Sequence, residues 1–160
     1  MVKKIPEGYH RVTPYMCIKD AARAIEFYKE AFGAEERFRM TTPDGNSVAH
    51  AEIKIGDSLF MLGEEMPGME CESPQALGGT PVGFYLYVKD VDAAFRRAVN
   101  AGATVKHEVK NMFWGDRIGT VTDPSGHVWT LATHVEDVSK EELAKRGKEA
   151  FEKMLQESHR

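Results

Sequence analysis

Two hydrophobic rhythms share this chain. At residues 48–55, Ala49, Ala51, Ile53 and Ile55 alternate with His50, Glu52 and Lys54, the period of a half-buried strand. A turn at Gly56-Asp57-Ser58 and an apolar return at Leu59-Phe60-Met61-Leu62 complete a hairpin. Residues 115–131 have the same layout, with a turn at Asp123-Pro124-Ser125-Gly126, where Pro124 presets φ and Gly126 tolerates a positive one. The helical rhythm appears upstream of each hairpin. Ala21, Ala24, Ile25, Tyr28 and Phe32 follow Asp20, a good N-cap, and end at Gly33. Val91, Ala94, Phe95, Ala98 and Val99 follow Asp90 or Asp92 and end at Gly102.

Strands are predicted before and after each helix, at 10–18 and 34–40 in the first half and at 82–88 and 103–109 in the second. Pro14 confines the first of these to an edge or bulge. Asp20 with Asp90, Gly33 with Gly102, and Met61 with Thr130 are offset by about 70 residues, which marks a divergent internal repeat. The expected fold is α+β: two βαβββ repeats at 9–62 and 82–133, with curled mixed sheets, forming one domain over 9–133. Residues 63–81, rich in Pro, Gly and Glu, read as a linker or flap between them. The extension 134–160 opens with a capping-box pair, Ser139 and Glu142. It then sets Leu143, Gly147, Ala150, Phe151, Met154 and Leu155 on one stripe, an amphipathic helix that must cover its own sheet or a partner subunit.

Composition narrows the partners. A formal net charge of −4 lacks the basic footprint of a sequence-independent nucleic-acid binder. No apolar run approaches a membrane span and no leader-type segment opens the chain, so a cytoplasmic protein is expected. Cys17 and Cys71 lack CxxC spacing and read as reduced thiols, Cys17 alternating with Tyr15 and Thr13 toward the same face.

Several segments resemble the vicinal-oxygen-chelate superfamily, which includes glyoxalase I, extradiol dioxygenases, fosfomycin resistance enzymes and bleomycin-binding proteins. They are Ile18-Lys19-Asp20 leading to Phe27-Tyr28 and Phe32-Gly33-Ala34, then Val88-Lys89-Asp90-Val91, then Asp123-Pro124-Ser125-Gly126-His127. The opening Val12-Thr13-Pro14-Tyr15, together with His50-Ala51-Glu52, Trp114-Gly115-Asp116-Arg117 and Thr133-His134-Val135-Glu136, is similar to the PhnB-like branch. The resemblance implies a cleft between paired sheets, within one chain or between swapped units of a homodimer. It also implies metal-ligand positions on the first and last strand of each unit, which fall here on Thr13, Met61, Gly83 and Thr130. None of these is a good divalent-metal ligand, so no metal or other cofactor is expected at the usual site.

Strand alternation then nominates the cleft residues. With Met61 inward, His50 and Glu52 are inward, and the same register carried into the second unit brings Arg117, Gly119 and Val121 inward. Tyr15, Tyr85 and Thr130 line the same surface, and Asp116 and Trp114 join Arg117 as a clamp for a planar or anionic ligand. His10, His107, His127, His134 and His159 show no metal-site spacing; His127 and His159 are assigned to turn or surface, and His134, after the last strand, to the approach to the cleft mouth. The leading reading is a small-molecule-binding protein whose ligand contacts are Tyr15, Met61, Tyr85, Trp114, Arg117 and Thr130. The alternative is a lyase, isomerase or dioxygenase-like enzyme. It would use a divalent metal at a shifted site on His50 and Glu52, or those two residues as a metal-free acid and base with Arg117 on an enolate. A third reading makes the C-terminal helix a docking surface.

Overall fold

The computed structural model describes residues 1–158, so His159 and Arg160 of the C-terminal extension lie outside the described residues. The first unit comprises β1 (Tyr15–Ile18), α1 (Ala21–Phe32), β2 (Glu35–Thr41), β3 (Val48–Ile55) and β4 (Ser58–Glu64). A short α2 (Pro74–Leu77) interrupts the segment between units. The second unit comprises β5 (Gly83–Tyr87), α3 (Val91–Asn100), β6 (Thr104–Asn111), β7 (Asp116–Thr122) and β8 (Val128–His134), and α4 (Lys140–Ser158) closes the chain. The two sheets repeat one topology, β1-β4-β3-β2 and β5-β8-β7-β6, each with a parallel pair beside antiparallel neighbours.

Local signals set the helices. The Asp20 carboxylate accepts from Arg23 N, and Gly33 at φ 66° turns its N–H back onto the last turn of α1. Asp90, not Asp92, caps α3 by accepting from Ala93 N. Each helix buries one stripe, Ala21, Ala24, Ile25 and Tyr28 in α1, and Val91, Ala94, Phe95 and Ala98 in α3. These stripes cover one face of each sheet, where Met16, Ile18, Ile53, Phe60 and Leu62 of the first and Val121, Trp129 and Leu131 of the second are buried. The helices also pack on each other. The helix layer therefore lies between the sheets, and the opposite face of each sheet looks outward.

One carboxylate locks this arrangement. Asp123, 4% exposed, stands in the turn between β7 and β8. It accepts from Tyr28 Oη at 2.6 Å and Trp129 Nε1 at 2.9 Å, and its other oxygen accepts from Ser125 N and His127 N. Tyr28 belongs to the first unit, so the turn of the second holds the first. Around it Trp129 packs 5.5 Å from Tyr28, 4.9 Å from Phe32 and 4.7 Å from Phe84, ring centre to ring centre. The same turn reaches β1, where His127 Nε2 lies 3.0 Å from the Cys17 carbonyl.

Several expectations are corrected here. The first strand begins at Tyr15, not residue 10: Pro14 interrupts the ladder, and residues 4–11 fold across the first sheet instead. Cys17 and Cys71 are not free thiols but a disulfide; 54 residues apart, they meet because the segment after β4 doubles back along β1. His127 does lie in the turn between β7 and β8, but it is buried there at the joint, 8% exposed, and not on the surface. A register shift near Thr41 places Val48, not Ala49, on the helix side. Ser139 does cap α4, accepting from Glu142 N, but Glu142 turns its carboxylate to Arg146 and the box stays half made. No residue of α4 is buried. It is tethered by Arg146, which binds Glu136 and the Phe113 carbonyl.

Replacing Asp123 by Ala would strand two side-chain donors and two backbone N–H groups in the core. The expected loss is about 3 kcal/mol of unfolding free energy, and Tyr28→Phe should lose about half as much. Urea denaturation checks both; an Asp123→Ala loss below about 0.5 kcal/mol would show that the joint is not held by this residue.

Candidate functional site

The outward face of the first sheet carries every second residue of its strands. Glu52 pairs with Met61, Met61 with Tyr15, and Met40 with His50, so these side chains share that face. The Tyr15 ring stacks on His50 at 5.8 Å with an interplanar angle of 28°, and Phe38 follows at 6.4 Å from His50. Gly63 makes the stack possible: a Cβ there would stand 2.5 Å from the Tyr15 hydroxyl and 2.9 Å from the Ala49 carbonyl. His50 Nε2 lies 3.8 Å from Glu52 Oε1.

The N-terminal segment bridges part of this face and borders an open cavity of about 510 Å³. Glu52, Met61 and Thr13 form its floor and Ile5, Pro6 and Tyr9 its roof, while the exposed Lys4, His10 and Arg11 stand at the rim. The Tyr9 hydroxyl is buried without a hydrogen-bond partner. Burial, followed by the nearby Glu52 carboxylate, pushes its pKa up to about 12.

The second sheet departs from the register expected of it. Val121 is fully buried beneath the helices and Gly119 abuts Phe95 of α3, so Arg117, of the same parity, lies on the helix side. Its guanidinium binds both carboxylate oxygens of Asp92 at 2.8 Å. The reason is turn length. Ile55 pairs with Ser58 across two residues, whereas Thr122 pairs with Val128 across 123–127. Glu52 faces Met61, but the residue facing Thr130 is Thr120. One residue of difference turns every side chain of β7 over.

What the open face of the second sheet does carry is a network on Asp116, 3% exposed. Asp116 accepts from Tyr87 Oη at 2.8 Å and Tyr85 Oη at 3.2 Å, and its other oxygen lies 2.8 Å from His134 Nδ1. Trp114 sits beside the Tyr85 hydroxyl, and Thr130 shares a 3.0 Å hydrogen bond with Thr120. Sequence reasoning named Tyr85, Trp114 and Thr130, set Asp116 in a clamp with Arg117 and Trp114 and His134 near the cleft mouth, and passed over Tyr87. The signal was present: Tyr87 is two residues beyond Tyr85.

Both ring nitrogens of His134 face carboxylates, since Nε2 lies 2.8 Å from Asp137 Oδ1. Only the imidazolium donates to both. The bond to Asp116 first, then that to Asp137, raises the His134 pKa above its ordinary value. Burial pushes the Asp116 carboxyl up, but the bonds from His134, Tyr87 and Tyr85 outweigh it and hold the pKa below the usual range.

The four positions that hold metal in metalloenzymes of this architecture do not fit one here. Gly83 has no side chain, Met61 offers a thioether, Thr13 donates to the His10 carbonyl, and Thr130 is engaged with Thr120. Among the described residues no group of three or more His, Cys, Asp and Glu side chains is arranged around a common point. No helix among them is long and apolar enough to cross a membrane.

The family model of the Glyoxalase/Bleomycin resistance protein/Dioxygenase superfamily matches residues 8–131, and the chain belongs to that superfamily. The uncharacterized protein Rv0887c of Mycobacterium tuberculosis is 44% identical over 135 residues, covering 82% of this chain and 79% of its own. The uncharacterized protein At5g48480 of Arabidopsis thaliana is 35% identical over 131 residues, covering 74% and 76%. The crystal structure of that plant protein superposes with a TM-score of 0.60 at 30% identity over 78% of this chain and 98% of that one. The fosfomycin resistance protein FosX of Listeria monocytogenes, complexed with Mn(II) and sulfate, shares the fold with a TM-score of 0.61 at 19% identity, over 86% and 96%.

The His134 bridge has a pH signature. A raised folded-state pKa contributes stability that is fully present below about 6.5 and is lost as pH rises through the folded value. The stability gap between wild type and His134→Gln is therefore expected to be widest below about pH 6.5 and to narrow as pH rises above it. Urea midpoints on both sides of that pH measure it; a constant gap contradicts the imidazolium bridge.

Proposed function

We propose that the protein binds a small organic molecule over the open face of its first sheet and does so as a homodimer. The open face of one copy's second sheet would form the opposite wall of the cleft. The observation that carries this reading is the cavity of about 510 Å³ over Glu52 and Met61, of a size suited to a small ligand. Supporting it, large side chains stand half exposed on both open faces, Tyr15, Phe38 and Met40 on one and Tyr85 and Tyr87 on the other. A sheet with one apolar face still open is complete only when something covers it. In this reading Tyr15, His50, Glu52 and Met61 of one copy meet Tyr85, Trp114 and Thr130 of the other. Arg117, held by Asp92 behind its sheet, takes no part.

The binding needs no metal at the usual positions. A shifted site at His50 and Glu52 would have one imidazole and one carboxylate, 3.8 Å apart, which is a sparse set for a divalent ion. That same pair favours a second reading, metal-free proton transfer between His50 and Glu52 at the cavity's edge. It would have to proceed without Arg117 to stabilise an enolate. The Cys17–Cys71 bond fits an oxidising compartment better than the cytoplasm.

Elemental analysis of untagged protein, with melting curves before and after chelation and with added Ni, Zn, Mn or Mg, tests the metal-free reading. The expected result is substoichiometric metal and an unchanged melting temperature. Near-stoichiometric metal with a chelator-sensitive melt would overturn it, since a ligand bound only by the native state raises the melting temperature. Turnover of a dicarbonyl–thiol adduct, lost in His50→Ala/Glu52→Ala, would instead establish the enzymatic reading.

A further inference from the structure

Within the cavity over the first sheet, the charges are arranged in depth. Glu52 is on the floor, half-buried, and faces the Tyr9 hydroxyl; His50 Nε2 lies 3.8 Å from its carboxylate and pairs with it when that ring is protonated. Lys4 and Arg11 stand at the exposed rim and form no ion pair among the described residues. Met61 on the floor and Ile5 and the Tyr9 ring in the roof give the cavity its apolar surfaces, and the buried Tyr9 hydroxyl is turned toward Glu52.

A half-buried carboxylate held only by a phenol and a histidine 3.8 Å away is stabilised further by a cation that also donates hydrogen bonds. A lone cation would meet two positive side chains at the mouth. A lone anion would find Lys4 and Arg11 but would leave Glu52 unpaired behind it. One ligand charge pattern satisfies both ends, a positive group inward and a negative group outward.

Building on the binding reading above, we infer that the cavity takes a small zwitterion, an amino acid or short peptide. Its ammonium docks on Glu52 and its carboxylate on Arg11 and Lys4, with an apolar body between Met61 and Ile5. The Tyr9 hydroxyl beside Glu52 is the further polar contact, its oxygen accepting from the ammonium. The N-terminal segment is then the part of the site that supplies the anion-binding half.

Calorimetry at neutral pH and low salt with four probes tests this: L-phenylalanine, glycyl-leucine, 2-phenylethylamine and 3-phenylpropanoate. At least one zwitterion should bind about ten-fold more tightly than either singly charged compound, as expected for one added charge-assisted contact. Glu52→Gln should weaken the zwitterion and the amine but spare the acid. Lys4→Gln/Arg11→Gln should weaken the zwitterion and the acid but spare the amine. Melting temperatures of the variants, all at half-buried or exposed positions, serve as the folding control.

Equal or tighter binding of the amine or acid alone would overturn the zwitterion assignment while leaving the cavity a binding site. Absence of heat from all four probes at about 10 mM would also overturn it. In that case the broader binding reading is decided separately, by whether the two open faces meet in solution.

Discussion

The carboxylate of Asp123 is the constraint on which this architecture depends. Buried without a countercharge, it is tolerable only because four donors saturate it, and one of them, the Tyr28 hydroxyl, comes from the other half of the chain. Those bonds tie the turn after β7 to α1 and draw Trp129 into a shared aromatic seam with Phe32, Phe60 and Phe84. Helix therefore packs on helix, and the two sheets present their second faces outward. Everything proposed about function follows from that orientation: a chain that spends its helices on the internal joint has two open sheet faces left.

Those faces differ in how far they are satisfied. On the second sheet Asp116 is fully engaged by Tyr85, Tyr87 and His134, and the network holds a rigid polar wall with Trp114 at its edge. On the first sheet the Glu52 carboxylate has only the Tyr9 hydroxyl and His50 at 3.8 Å beside it, under a roof made by the N-terminal segment. A half-buried carboxylate so loosely held is the feature on which the proposed ligand-binding role of the first sheet rests. The wall and the pocket belong to different units, and the proposed dimer is what would bring them together.

Much of this was legible in the residues. Asp20, Gly33 and Asp90 fixed the helices, because caps are local chemistry, and the period-two run at 48–55 placed His50 and Glu52 on the open face with Met61. The second unit was misread for an equally local reason. An offset of about 70 holds for helices and last strands, but the hairpin turn at 123–127 is longer than the one at Gly56-Asp57, and β7 enters in the opposite phase. Arg117 was thereby assigned to the cleft, and Asp116 was read as its partner in a clamp instead of as the centre of the Tyr85, Tyr87 and His134 network. The Cys17–Cys71 bond, the fold of residues 4–11 over the sheet, and the burial of His127 depend on contacts between segments far apart in the chain, and composition and spacing carry no trace of those.

The central claim is that the open face of one copy's first sheet meets the open face of another copy's second sheet. A photo-crosslinking side chain in place of Met40, half exposed on that first face, reports the meeting directly. Irradiation should give a covalent dimer of twice the 17.9 kDa chain mass, with the attached peptide coming from β5, β7 or β8 of the partner. Crosslinks confined to a single chain, or joining the first sheets of two copies to each other, would contradict the account.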